Sequence, residues 1–349
     1  MSDSAAPPTM RAVVITRAGG PEVLEVQQRP TPEPRPGQLL VRVRASALNR
    51  ADLLQREGRY PAPPGAPADI PGLEFAGEVA GVGDGVGDEW AIGARVFGIT
   101  AGGGHAEFLV VDAGCAARVP ERFSWTDAGA IPEAFMTAHD ALVTQAQVAA
   151  GERVLIHAVG SGVGLAATQV ARAWSAIHFG TARTADKIER ARALGLEDGV
   201  AVTGDPEAIV ERVEQWTGGQ GIPVVLDLVG GDYVGANIRA ASLKGRIMII
   251  GTVAGRTASI PVGMVLGKRL KLFGTMLRSR SVEEKREVTS AFTRDVVPLL
   301  ASAALNPTID SVFDLADVAK AHERLAGNAT FGKVVLRLDV QRSESRNRA

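Results

Sequence analysis

The chain has 349 residues and a mass of 36.4 kDa, more than one hydrophobic core comfortably serves, so two domains are expected. Hydrophobic residues at 46% and charged residues at 22% are ordinary for a globular protein, and a net charge of −1 with a pI near 6.6 provides no basic surface for nucleic acid or anionic lipid. The single cysteine, Cys115, excludes an internal disulfide and any multi-cysteine zinc site. No apolar run approaches a membrane span and no signal-peptide layout opens the chain, so a cytoplasmic enzyme is the expectation.

Residues 1–9 are small, polar and proline-containing, as in a disordered leader. Strand-type runs follow at residues 11–15, 24–26 and 39–45, the last with the partial alternation of a half-buried strand. A short helix fits 49–57, ended by Gly58. Prolines and glycines preclude regular structure from Arg59 to Pro71, which reads as a surface loop or lid. Short apolar runs at 75–79, 94–97 and 106–111, separated by glycine clusters, suggest a small β-barrel or sandwich. Cys115 has no neighbour that would activate a thiol.

After Arg153 strands and helices alternate. Strands are expected at 154–158, 177–180, 200–202, 224–228, 246–250 and 270–274, with helices at 165–174, 185–194, 206–217 and 233–242. This is the grammar of an α/β doubly wound parallel sheet. One long helix fits 281–303, with Glu283, Glu284 and Glu287 near its positive end. Strands at 309–313 and 334–338 around a helix at 315–325 read as a return to the first domain.

The first strand of the second region runs into Ala158-Val159-Gly160-Ser161-Gly162-Val163-Gly164. A strand feeding a helix through a glycine-rich turn presents unpaired N–H groups to an anion, in this setting most often a dinucleotide pyrophosphate. Gly160 and Gly162 form a G-x-G pair, but Leu165 holds the third glycine position and Gly164 comes one residue early. The alternative is a structural turn, against which the strand–turn–helix–strand context weighs.

The arrangement resembles the medium-chain dehydrogenase/reductase superfamily, and within it the zinc-free quinone oxidoreductases, the zeta-crystallin-like group. The carriers are Ala47–Asp52, Gly72–Gly77, Gly103–Glu107, Ile131–Ala138, His157-Ala158 leading into Ser161–Gly164, Leu277–Arg280 and Gly332–Leu336. The resemblance spans residues 10 to about 338. It implies a GroES-like β-barrel-type substrate domain (10–130 and 305–349) split around a Rossmann NADP-binding domain (131–304), with the active site between them. It also implies Ala-x-x-(Gly/Ser)-x-x-Gly as the family form of the turn, met by Ala158, Ser161 and Gly164.

Zinc relatives of this superfamily bring a Cys and a His where this chain reads Asn49-Arg50-Ala51-Asp52-Leu53-Leu54, with neither, so no catalytic metal is expected. An electron-poor acceptor, a quinone or conjugated carbonyl, can still take a hydride from nicotinamide. The second strand ends Gly180-Thr181-Ala182-Arg183-Thr184-Ala185-Asp186-Lys187, without the acid that bonds an NAD ribose. Arg183 and Lys187 suit a 2′-phosphate and Thr181 offers a hydroxyl donor, so NADPH is expected; the alternative for the two bases is surface charge.

The resemblance places Asn49 and Thr137 facing the nicotinamide and Tyr60 beside the substrate, as hydrogen-bond or proton donor. Their other readings are a turn residue, a helix cap and a loop anchor. Ser161 would touch pyrophosphate or ribose; Gly251 and Thr252 close the fifth strand at the ligand edge. Asn328 and Lys333 belong to the closing motif and reach the cofactor, unless Lys333 is a surface residue. Arg278 and Arg280, after the sixth strand, contact substrate or cofactor, or else form salt bridges with acidic residues. Glu74 and Asp52 read as buried anchors, and His105 receives no catalytic role. A homodimer through the sixth-strand edge is implied. The expected activity is NADPH:quinone reduction, with an enoyl-thioester reductase or a non-catalytic NADPH-binding protein as alternatives.

Overall fold

A computed structural model describes residues 6–338. The chain divides into two compact units, Met1–Glu133 with Arg278–Thr293 and Ile309–Ala349, and Ala134–Leu277 with Arg294–Thr308. The segment 278–293, expected with the parallel sheet, thus groups with the first unit.

In chain order the first unit supplies β1 (Thr9–Ile15), β2 (Leu24–Pro30), β3 (Gln38–Leu48), α1 (Arg50–Arg56), β4 (Glu74–Val82), β5 (Arg95–Ile99), β6 (Phe108–Asp112), β7 (Ala116–Arg118) and α2 (Trp125–Gly129). The chain crosses over within α3 (Pro132–His139). The second unit supplies β8 (Arg153–Ile156), α4 (Gly162–Ala173), β9 (Ile177–Ala182), α5 (Ala185–Arg192), β10 (Asp198–Ala201), α6 (Glu207–Thr217), β11 (Ile222–Asp227), α7 (Tyr233–Ala240), β12 (Ala241–Ile249), α8 (Val262–Lys268) and β13 (Lys271–Gly274). After α9 (Val282–Asp295) and α10 (Val297–Ala301), the strands β14 (Ile309–Asp314) and β15 (Lys333–Arg337) flank α11 (Val318–Ala326).

The first unit is a seven-stranded sheet ordered β14-β15-β3-β4-β5-β7, with β6 also on β3, and a separate β1-β2 hairpin. Strand β3 is long because it serves three partners: residues 38–42 pair with β6, 45–48 with β15, and 39–45 with β4. The expected partial alternation holds from Val41 to Ala45, where Arg42 and Arg44 are half-exposed between buried neighbours, while Leu39 to Val41 and Ala45 to Leu48 form continuously buried runs at the two ends. Of the expected leader, residues 1–5 lie outside the described residues, but Thr9 already pairs with Pro30 and Pro8 accepts from the Thr31 N–H.

The expected helix 281–303 is broken. Val296 separates α9 from α10 because Pro298 has no N–H and its ring would strike the carbonyl of Arg294. Phe292 of α9 is fully buried and meets Phe97 edge-on at 5.7 Å.

In the second unit all six strands are parallel, in the order β10-β9-β8-β11-β12-β13. The order reverses between β8 and β11, and ligands of such sheets bind at the carboxyl ends there. Leu155, Val225 and Ile247 from adjacent strands lie under Ile209, Val213 and Ile238 of α6 and α7. Each such side chain contributes about 1.5–3 kcal/mol on burial.

Candidate functional site

In the second unit β8 leads into the glycine turn at the switch point. Ser161 caps α4: its Oγ accepts from Gly164 N at 3.0 Å, which starts the helix three residues earlier than expected and leaves the hydroxyl proton to donate outward. Ala158 takes a left-handed φ of +50°, one reason for a small residue there. A Cβ on Gly164 would lie 2.4 Å from the Ala158 carbonyl oxygen, and one on Gly160 would lie 2.8 Å from Cδ of Lys187. The Lys187 stem therefore passes over Gly160, placing the lysine beside the turn. Gly162 and Val163 form the first helical residues, half-exposed at the helix N-terminus.

Beneath the turn runs a buried hydrogen-bond chain. Asp227 accepts from the backbone of Val229 and Gly230, both at 2.8 Å, and from Asn237 Nδ2 at 3.0 Å. That contact orients the Asn237 amide, so its Oδ1 must accept from His157 Nε2 at 2.7 Å. Burial pushes the His157 imidazole well below its usual pKa and keeps it neutral, so the proton sits on Nε2. Nδ1 is then an acceptor, and Thr181 Oγ1 at 2.9 Å donates to it. The structure thus corrects one expectation: the Thr181 hydroxyl proton is committed to His157 rather than offered to a phosphate, and Thr181 is only 2% exposed.

Arg183 lies exposed just beyond β9, and the first acid, Asp186, is exposed in the first turn of the following helix. Gly251 follows β12, where a Cβ would stand 2.4 Å from the Leu228 carbonyl; Thr252 is exposed. Thr137 is buried in α3.

The first unit carries a second polar cluster. Lys333 Nζ donates to Glu74 Oε1 and to Asn49 Oδ1, each at 2.7 Å, and Asn49 Nδ2 donates to Glu74 Oε1 at 2.9 Å. Glu74 Oε2 accepts from the Glu133 N–H at 3.0 Å. Asp52 accepts from the backbone N–H groups of Asn49 at 2.7 Å and Gly72 at 2.9 Å. Glu74 and Asp52 are buried anchors, as expected, and Lys333 is a buried cation rather than a surface one. Asn49 caps α1 and is tied on both amide atoms. Asn328, at φ +59°, accepts from Arg50 at 2.6 Å.

Tyr60 is half-buried. Arg278 stacks over its ring at 5.0 Å, donates to Gln55 Oε1 at 2.6 Å and to Ala101 O at 2.8 Å, and is itself buried. Burial pushes the Tyr60 phenol up from its usual range, with Arg278 opposing. Glu133, to which the sequence assigned no role, faces this cluster; burial, then the neighbouring Glu74, pushes its carboxyl up to about 8. Its signal was an acid in the first turn of a helix, ordinarily a dipole partner. The buried Cys115 thiol is pushed up to about 11 and is inert.

Two family models match the chain: an alcohol dehydrogenase GroES-like domain over residues 35–121 and a zinc-binding dehydrogenase over residues 162–294. Human quinone oxidoreductase is 30% identical over 94% of this chain and 98% of its own length. The chain belongs to the medium-chain dehydrogenase/reductase superfamily and is of quinone oxidoreductase type. A mycobacterial protein, Rv1454c, solved complexed with NADPH, matches at 29% identity and TM-score 0.82, covering 94% of this chain and all of that one. CurK enoyl reductase matches at 25% identity and TM-score 0.83, over 95% of this chain and all of its own. As a superfamily member the chain is an oxidoreductase, and a nicotinamide cofactor fits its residues: Gly160 and Gly164 keep the turn free of side chains, and Ser161 leaves a donor there. Among the described residues no group of three or more His, Cys, Asp or Glu side chains could hold a metal ion.

Proposed function

We propose that the chain is an NADPH-dependent quinone reductase that uses no metal and works in the cytoplasm. The observation that carries the cofactor choice is the end of β9, where Arg183 and Lys187 stand and no acid precedes Asp186. When bound, NADPH supplies the hydride. Lys187, lying over Gly160, and Arg183 hold the 2′-phosphate, and Ser161 donates to the pyrophosphate. Thr181 positions the strand end through His157. Asn49 and Thr137 face the nicotinamide, with Asn49 held by Lys333 and Glu74. Tyr60 donates a hydrogen bond to the acceptor oxygen and Arg278 fixes the Tyr60 loop. Steady-state cofactor oxidation with a simple quinone tests this reading. An enoyl thioester is the second acceptor class, supported by the likeness to CurK and by the half-buried Tyr60.

Replacing Arg183 with Ala is expected to weaken NADPH binding by about 1.5–3 kcal/mol, the worth of a hydrogen bond to a charged group, and to leave NADH binding unchanged. Parallel titrations with the two cofactors check it; equal losses for both would remove Arg183 from the 2′-phosphate.

We also propose a homodimer through β13, the outer strand of its sheet. Nearby Leu243, Val262 and Leu266 are 58%, 66% and 79% exposed, an apolar surface that suits a second copy. Sedimentation should give a dimer that Leu266→Glu converts to monomer. A monomeric native chain would contradict it.

A further inference from the structure

His157 stands at the centre of the second unit's crevice. It follows β8 at the switch point, and the two neighbours of that strand, β9 and β11, end on either side of it. The pairing of β8 with β11 finishes where the His157 N–H donates to the Leu226 carbonyl at 3.0 Å. Past that point side chains join the two walls. On one wall, Thr181 Oγ1 of β9 donates to His157 Nδ1 at 2.9 Å, two residues before Arg183. On the other, His157 Nε2 donates to Asn237 Oδ1 of α7 at 2.7 Å, and the Tyr233 ring of α7 stands edge-on to the imidazole with centroids 5.1 Å apart. Asn237 donates in turn to Asp227, which also accepts from the Val229 and Gly230 N–H groups at the start of the β11–α7 turn. His157, Thr181, Asn237 and Asp227 are all buried, so little water competes for these bonds.

We propose that His157 is a positioning residue that sets the distance between the end of β9 and the β11–α7 turn, and through it the preference for a cofactor carrying a 2′-phosphate. The role rests on the reading of Arg183 and Lys187 as the 2′-phosphate site. Only an imidazole with its proton on Nε2 and a lone pair on Nδ1 fits these partners, because Asn237 donates to Asp227 and so offers His157 an acceptor. Burial favours that neutral ring. The ring is rigid, so one side chain holds both walls at once, and an aliphatic replacement leaves Thr181 and Asn237 each without this partner. A guanidinium bonds a phosphate well only over a narrow range of distance and angle, whereas the ribose hydroxyl of NADH makes no such demand. Displacing the end of β9 therefore weakens NADPH binding more than NADH binding. His157 lies beneath the turn and acts through its neighbours, as groups behind a binding shell do.

The test combines a spectroscopic signature with nucleotide titrations of the full chain. With ¹⁵N-labelled histidine, the His157 signal, identified by its loss in His157→Gln, should show a protonated Nε2 and a bare Nδ1 at pH 7. His157→Leu should weaken NADPH binding about tenfold and NADH binding by no more than about threefold. His157→Gln, whose amide can donate to Asn237 and accept from Thr181, should recover most of the loss. Thr181→Val should behave like His157→Leu, and the double variant should be no worse than either, because both remove the same link. A thermal melt shows which variants fold, and if His157→Leu does not, Thr181→Val carries the same prediction. A proton on Nδ1, unchanged NADPH affinity in the folded variants, equal losses for both nucleotides, or additive losses in the double variant would each overturn the role. A native chain that binds NADH but not NADPH would overturn the 2′-phosphate reading and the role with it, while the tautomer still reports whether His157 joins the two walls as described.

Discussion

Lys333→Met should lower the stability of the protein by about 3–5 kcal/mol, because it removes the one cation bonded, among the described residues, to the fully buried Glu74 carboxylate. Lys333 and Glu74 have side chains 6% and 0% exposed, at 2.7 Å. Methionine matches the length of the stem but brings no charge, so Glu74 keeps a single side-chain donor, Asn49, and the backbone N–H of Glu133. Because Glu74→Gln removes the unpaired charge, combining it with Lys333→Met should recover part of the deficit. Denaturant unfolding of the three variants measures this, and a loss below about 1 kcal/mol in the single variant would mean that the pair is open to water. Asn49 should also lose its orientation, so acceptor turnover should fall with stability.

The glycine turn makes the second large prediction. Gly164→Ala puts a methyl group 2.4 Å from the Ala158 carbonyl oxygen and 2.8 Å from Val159 Cα, both backbone atoms that cannot swing aside. Such overpacking costs about 1–3 kcal/mol, and here it pushes apart the two sides of the dinucleotide turn. Cofactor affinity should fall more than global stability does. Gly263→Ala, in α8 with nothing near its Cβ position, is the control. It should be neutral or stabilising by up to about 1 kcal/mol, as alanine replaces glycine in a helix. Equal behaviour of the two variants would mean that the turn is not tightly packed.

Much of this could be read from the residues. The six parallel strands follow short apolar runs at the expected places, since a strand covered on both faces needs nothing but Val, Ile and Leu. The glycine turn was legible because only small residues fit there, whereas the cap that Ser161 makes, which starts the helix at Gly162, was not. Pairing across long sequence distances was not. Nothing near Lys333 announces that it bonds Asn49, 284 residues away, and nothing near His157 announces that it accepts a hydrogen bond from the Thr181 hydroxyl. Both links depend on sheet register. The partial alternation read in β3 is present from Val41 to Ala45, but its buried ends and its three partner strands were not legible, because alternation reports faces and not partners. Glu133 went unread because a first-turn acid usually satisfies a helix terminus, and only burial beside Glu74 distinguishes it.

The most direct measurement of the central claim is steady-state cofactor oxidation by the purified chain, with NADPH and NADH compared against a simple quinone and a 2-enoyl thioester. The account predicts turnover of the quinone with a clear preference for NADPH, persisting in the presence of a metal chelator. Cofactor binding without turnover of either acceptor, or a preference for NADH, would contradict it.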